Sequence, residues 1–325
     1  MTALAAAVVG LGAIGQDYDI DCRDDSRVLT HAHAYEVHPG FRLAAGVDPA
    51  LEARERFTRR FGFPAYPDIG RMLASVHADV VSVAVPTALH AAAFEACAAA
   101  GVRAVICEKP LAPSVEEAGR MAARARAAGM KVLVNYMRRC DPGVAELGRR
   151  IAAGRFGEIY KGQVWYGKGL RHGGSHLLDL LLHLLGAAGP FDIVSPGRAL
   201  ADGDRDPDFR VRIGGTDLHF LAVRSEHFAF AKIDLLGTAG RIEYAQGGYR
   251  ITAWSAADSP LFPGQRALPA EGEPLANDMR RYQYHVLEEL HRCLQSGAEP
   301  VSSGASALAT LELTEAICDA ARRHA

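Results

Sequence analysis

Short apolar, β-branched runs alternate with alanine-rich stretches of helical period through the first 135 residues. The runs at 5–9, 41–47, 80–85, 104–107 and 131–134 carry almost no polar side chains, as strands covered on both faces of a parallel sheet do. Between them, 51–61, 88–100 and 115–128 read as helices, the last with Ser114 as N-cap and Glu117 three residues further on. The alternation predicts an α/β fold: a doubly wound Rossmann sheet over residues 1–135. Beyond Tyr136 the period changes. Alternating runs at 208–213, 217–223, 229–235 and 249–254 predict a large, open, mostly antiparallel sheet, and 278–296 and 305–323 close the chain as helices. Residues 136–325 are therefore expected to form a second α/β domain, with 259–274, rich in proline, as a surface loop or lid.

Composition narrows the function classes. With 49% hydrophobic and 23% charged residues, the 325-residue chain can bury ordinary cores. A formal net charge of -2 gives no global reason to bind nucleic acid or an anionic membrane. The longest apolar stretch, 80–101, is broken by Pro86, His90 and Glu95, so no membrane span is expected. The amino terminus has no basic region before its apolar run and reads as a first strand rather than a signal peptide. Six cysteines without a C-x-x-C pair read as reduced thiols in a cytoplasmic protein.

Three features carry candidate chemistry. Gly10-Leu11-Gly12-Ala13-Ile14-Gly15 follows the first strand and is expected to lead into a helix, where a pyrophosphate could approach backbone N–H groups. Asp48, at the end of the second strand, is placed to accept from a ribose hydroxyl and to repel a 2'-phosphate, so NAD is expected over NADP, with Arg54 pulling the other way. Asp48 lies 33 positions after Gly15, where about 20 is usual, which implies an insertion around 16–30. Second, the predicted strands end in residues unusual for a core: Asp48, Pro86-Thr87, Glu108-Lys109-Pro110 and Asn135-Tyr136. Ligands of open α/β sheets bind outside these carboxyl ends, so Lys109 is expected near a nicotinamide and its substrate. Third, His176, Asp179 and His183 share one face of a leucine-rich helix. His176 is the candidate acid/base, Asp179 an orienting group and His183 a packing residue. The two histidines stand about 10 Å apart along that helix, which argues against a shared metal ion, and no metal is expected. His31 and His33 could line the cleft but read first as solvated surface.

Together these residues resemble the glucose-fructose oxidoreductase / inositol dehydrogenase / MocA family of nicotinamide-dependent oxidoreductases. The resemblance rests on Gly10-x-Gly12-x-x-Gly15, Asp48, Pro86-Thr87-x-x-His90, Cys107-Glu108-Lys109-Pro110, Asn135-Tyr136-Met137-Arg138-Arg139 and Gly174-Ser175-His176-x-x-Asp179. It implies hydride transfer between NAD(P) and a carbinol or keto carbon of a sugar, nucleotide sugar, cyclitol or similar polyol. It also assigns substrate binding and oligomerisation to residues 136–325, with a homodimer or homotetramer through the second sheet. Lys109 and His176 match the family's catalytic pair. His172 stands where many members have aspartate and is included with them. Ala13, Ile14, Pro86, Thr87, His90, Glu108 and Asn135 join the glycines and Asp48 as cofactor contacts. Tyr136, Arg139, Tyr166, Lys168, His172 and Asp179 join Lys109 and His176 as substrate contacts. The alternatives are an enzyme that holds NAD tightly and uses it transiently, as an epimerase or a redox-assisted glycosidase, and a non-catalytic dinucleotide sensor.

Overall fold

The computed structural model describes residues 3–324; Met1, Thr2 and Ala325, which belong to the expected domain ranges, lie outside the described residues. The chain divides into two compact units, Met1–Cys140 with Arg280–Leu311, and Asp141–Met279 with Glu312–Ala325. A single boundary near 135 was expected. Instead the chain returns to its first unit near the end, because Val286, Leu287 and Leu290 pack with Val28, Tyr35 and Phe41.

The first unit holds β1 (Leu4–Val9), α1 (His31–Val37), β2 (Phe41–Val47), α2 (Leu51–Phe61), β3 (Ala65–Tyr66), α3 (Ile69–Ser75), β4 (Val80–Val83), α4 (His90–Ala99), β5 (Ala104–Cys107), α5 (Val115–Ala128) and β6 (Lys131–Val134). All six strands are parallel in the order β3-β2-β1-β4-β5-β6. That is the Rossmann order, with its topological switch between β1 and β4. Ser114 caps α5 as expected, its Oγ accepting from Glu117 N.

The glycine turn does not run straight into a helix. Gln16 N donates to Gly12 O, and one helical turn later the chain departs. It returns when His31 N donates to Ile14 O at 3.1 Å and Ala32 N to Gly15 O at 3.0 Å. An uninterrupted helix would offer those carbonyls residues 18 and 19. The helix therefore resumes 13 positions late, as α1, around a looped-out strap. Taking 13 from the 33 positions between Gly15 and Asp48 leaves 20, the usual spacing. The strap is tightly held: Arg60, in α2, donates to Ile20 O and Cys22 O and grips Glu36 with two hydrogen bonds.

The second unit holds α6 (Pro142–Ala152), β7 (Ile159–Tyr166), α7 (Ser175–Leu185), β8 (Ala188–Ser195), β9 (Asp208–Ile213), β10 (Thr216–Ala222), β11 (Lys232–Gly237), β12 (Gly240–Ala245), β13 (Arg250–Ser255), the short β14 (Ala257–Asp258), β15 (Arg266–Ala267) and β16 (Glu273–Leu275). Its eight-stranded sheet runs β16-β13-β12-β11-β7-β10-β9-β8 and is antiparallel except where β7 meets β10. One face carries the core, including Val164, Phe209, Phe220, Ile233 and Tyr244, against the leucines of α7. The helix α8 (Tyr282–Ser296) belongs to the first unit, and α9 (Gly304–Arg323) passes from the first to the second. Among the described residues no helix is long and apolar enough to cross a membrane. The expected lid, 259–274, forms mainly the turn of the small β14–β15 hairpin and the edge strand β16.

Candidate functional site

At the carboxyl edge of the first sheet, Gly10 takes φ +96°, and a Cβ there would stand 2.5 Å from Ala84 O, so only glycine lets β1 end between its neighbours. Gly12 differs. Nothing lies within 4 Å of where its Cβ would be, and Gly12 and Ala13 are exposed, with Ile14 half-buried and Gly15 buried behind them. The turn thus presents an open cradle rather than a packed corner. Asp48 closes one side: Oδ2 accepts from Leu11 N at 2.9 Å and Oδ1 from Ala50 N at 2.8 Å. Each oxygen keeps acceptor capacity for a ligand hydroxyl. Arg54 donates Nη1 to the carbonyls of Asp48 and Pro49, which ties it to backbone beside the carboxylate.

Pro86 and Thr87 lie just past the end of β4 and reach solvent. His90, expected at the cofactor, is instead fully buried. Its Nε2 meets Val85 O at 3.0 Å, and its Nδ1 lies 3.2 Å from Leu111 O and 3.4 Å from Cys107 Sγ. It ties strand-end loops together and offers nothing to a ligand.

Glu108 and Lys109 leave β5 through a cis Lys109–Pro110 bond, both half-buried. Burial alone would raise the Glu108 carboxyl. Hydrogen bonds from His31 and Asn135, with the nearby charge of Lys109, outweigh burial and hold it below the ordinary carboxylate range. Glu108 is therefore an anion next to Lys109. Both His31 and His33 proved buried rather than solvated: His31 Nε2 meets Glu108 Oε1 at 2.9 Å and His33 Nδ1 meets Asp19 Oδ2 at 3.0 Å. Sequence reading missed them because the strap hides that α1 continues the glycine turn. Tyr136 and Arg139, expected at the substrate, are buried, with Tyr136 in the core and Arg139 donating to Val301 O.

In the second unit, β7 delivers the chain to a single π turn, Leu170–Gly174, that feeds α7. Such turns recur at functional sites. A Cβ on Gly173 would stand 2.0 Å from Gly167 O, which accounts for a glycine at that crossing. Lys168 is exposed and adopts φ 62°, a left-handed conformation that costs a lysine about 1–2 kcal/mol. Asp204, which sequence reading missed, anchors the turn: its buried carboxylate accepts from the backbone N–H groups of Arg171, His172 and Arg205. Nothing in the sequence around Asp204 marks it. His172 is exposed, and His176 is half-buried in the first turn of α7. Asp179 is fully buried one turn on. Tyr166, expected to touch substrate, is a core residue whose hydroxyl donates to Pro207 O, and burial pushes its phenol far above the ordinary value.

Residues 4–136 match the family model described as an oxidoreductase family with an NAD-binding Rossmann fold. Over longer spans, the chain is 26% identical to D-apiose dehydrogenase of Paraburkholderia graminis, covering 90% of this chain and 84% of that protein. It is 29% identical to inositol 2-dehydrogenase 2 of Saccharopolyspora erythraea, covering 92% and 87%. An oxidoreductase from Agrobacterium radiobacter, crystallised with NAD+, L-tartaric acid and magnesium, superposes with a TM-score of 0.78 at 22% identity over 100% of this chain and 98% of that one.

Proposed function

We propose that the chain, whose Rossmann part matches an NAD-binding oxidoreductase family and which resembles the glucose-fructose oxidoreductase / inositol dehydrogenase / MocA family along most of its length, moves a hydride between NAD and a ring carbinol or keto carbon of a sugar, cyclitol, nucleotide sugar or similar polyol. The observation that carries this reading is the combination, in one Rossmann sheet, of an open glycine cradle closed by Asp48 and an ionised Glu108 beside Lys109.

The donor set fits the dinucleotide. Gly12, Ala13, Ile14 and Gly15 offer backbone to its pyrophosphate, Asp48 accepts from the adenosine ribose, and Pro86, Thr87 and Asn135 line the way to the nicotinamide. Asn135 Oδ1 is a buried acceptor with no partner among the described residues, as expected of an atom awaiting a ligand donor. Asp48 favours NAD over NADP, since Arg54 is occupied by backbone carbonyls. When bound, NAD supplies the site that accepts or releases the hydride. Lys109, beside the Glu108 carboxylate, donates a hydrogen bond or proton to the reacting oxygen. His176 takes or returns the proton, with Lys168 and His172 as further substrate contacts and Asp179 an orienting group behind His176.

The uncovered face of the eight-stranded sheet supports a homodimer or homotetramer: it exposes Leu236 and partly exposes Trp165 and Trp254. The scatter of the six cysteines, without a C-x-x-C pair, supports a cytoplasmic location. Calorimetric titration with NAD and NADP, followed by a panel of free sugars, inositols and nucleotide sugars read by NADH absorbance, tests the proposal. NAD is expected to bind at least tenfold more tightly than NADP, about the worth of one hydrogen bond plus a repulsion, and at least one polyol to yield net NADH. NADP preference, or no turnover across the panel, would contradict it.

A further inference from the structure

Glu108 draws its hydrogen bonds from parts of the chain that lie far apart in sequence. His31 Nε2 lies 2.9 Å and Asn135 Nδ2 2.6 Å from its Oε1. The same Asn135 Nδ2 donates to Gln283 Oε1 at 3.1 Å, and Gln283 Nε2 lies 2.9 Å from His31 Nδ1. His31, Asn135 and Gln283 are all buried, and the four side chains form a closed ring.

Only one proton assignment satisfies that ring. An ionised carboxylate can only accept, so the Asn135 atom facing it is nitrogen. The Gln283 atom facing that nitrogen must then be oxygen, which turns the Gln283 NH2 toward His31. His31 Nδ1 therefore accepts, and its Nε2 carries the proton given to Glu108. Asn135 Nδ2 is held by two acceptors, and its Oδ1 is a buried acceptor with no partner among the described residues.

Gln283 is itself fixed by the strap. Val28 N donates to Arg280 O, Gln283 N to Val28 O and Tyr282 Oη to Leu29 O, while Arg281 pairs with Asp25 at 3.0 Å. The looped-out residues thus set the start of α8 and, through it, the amide that completes the ring.

We propose that Gln283 is a positioning residue for the reacting end of the cofactor site: its amide fixes the His31 tautomer and the Asn135 rotamer, and so places the Glu108 carboxylate next to Lys109 and aims Asn135 Oδ1 at the bound dinucleotide. The proposal rests on the assignment of Lys109 and Asn135 made above. No feature of the glycine turn or of Glu108-Lys109-Pro110 marks a glutamine more than 170 positions later as a partner.

The test uses the full chain labelled with 15N-histidine and the variants Gln283→Met and Gln283→Glu, with Gln295→Met, exposed on the same helix, as control. In the wild type, His31 should be the neutral Nε2–H tautomer. In Gln283→Glu, which offers an acceptor to Nδ1, both ring nitrogens should carry protons. Gln283→Met should weaken NAD binding about tenfold, the worth of one positioned hydrogen bond. At saturating NAD it should lower kcat roughly 10- to 100-fold, as misplacement of reacting groups does, with KM for the polyol within about twofold. The control should match the wild type. A wild-type Nδ1–H tautomer would overturn the ring, and unchanged NAD affinity in Gln283→Met would overturn the positioning role. A wild type that transfers no hydride would instead sink the proposed reaction, leaving the tautomer and the NAD affinity to decide the fate of Gln283.

Discussion

The carboxyl edge of the first sheet and the open face of the second both gather polar side chains, but they organise them in opposite ways. At the edge, few groups converge, each buried or half-buried, and each has a partner that fixes where its hydrogens sit: Glu108, His31, Asn135 and Gln283 admit one arrangement. On the open face, register sets Glu243, Asp234, Gln163, His219, Arg210 and Asp192 side by side across six strands. There the partners are shared: Glu243 accepts from Lys232, Arg250 and Arg241, and Arg241 also stacks on Trp254. A network with one solution can hold a reactive group in place, whereas one with several tolerates loss of a member. The difference separates the place proposed for chemistry from the face proposed for association.

Substitutions at the two places should therefore differ by orders of magnitude. Lys109→Ala and His176→Ala are each expected to lower kcat roughly 100- to 10,000-fold, the worth of general acid/base assistance, with NAD affinity retained by calorimetry. Turnover near the wild-type value in both would erase the distinction. Asp48→Ala removes the carboxylate that accepts from Leu11 N and Ala50 N and, under the proposed function, from the ribose. NAD affinity should fall roughly 10- to 100-fold, and the preference over NADP should narrow, in paired titrations. On the open face, Glu243→Gln leaves its three cationic neighbours with other partners or solvent. Its expected cost is about 1 kcal/mol, a fall of roughly 2–4 °C in Tm by calorimetry, with kcat untouched.

The smallest expected effect is a pH slope. His38 is buried, accepts from Gly40 N at Nδ1 and gives its Nε2 proton to Glu288. Burial, only partly offset by Glu288, holds its imidazole below the ordinary value of 6.5. The unfolded chain then binds the proton more readily, so this contribution to stability is present above about pH 6.5 and is lost as pH falls toward the lower folded value. Thermal melts from pH 7.5 to 5.5 should show a shallower fall in Tm for His38→Gln, whose amide can keep both hydrogen bonds. Equal slopes would show that His38 carries none of the pH dependence.

How much of this was legible from sequence follows the same division. Strands β2, β5 and β6 and helices α2 and α5 are where hydrophobic period and the Ser114 cap put them, because a doubly covered parallel strand has little freedom in its composition. The glycine turn, Asp48 and Glu108-Lys109-Pro110 were legible as local patterns. His31 was not, since its meaning depends on a carbonyl hydrogen bond that bridges 13 looped-out residues. Gln283 and Asp204 were not either. The apolar face of α8 says that the helix is buried without saying against which sheet, and a lone aspartate in a loop carries no sign of the backbone N–H groups it will meet. Tyr136, Tyr166 and His90 were read too optimistically: polar atoms near strand ends can serve the core, as the Tyr166 hydroxyl does at Pro207.

Under the proposed function, hydrogen passes directly between a carbinol carbon and NAD with Lys109 and His176 handling the proton. A single turnover with a polyol substrate deuterated at the reacting carbon measures that transfer, by the mass of the NADH formed and the isotope effect on the step. The label should appear quantitatively in the nicotinamide, with a primary isotope effect on the transfer step. Label released to solvent, or NADH formed without it, would contradict the mechanism.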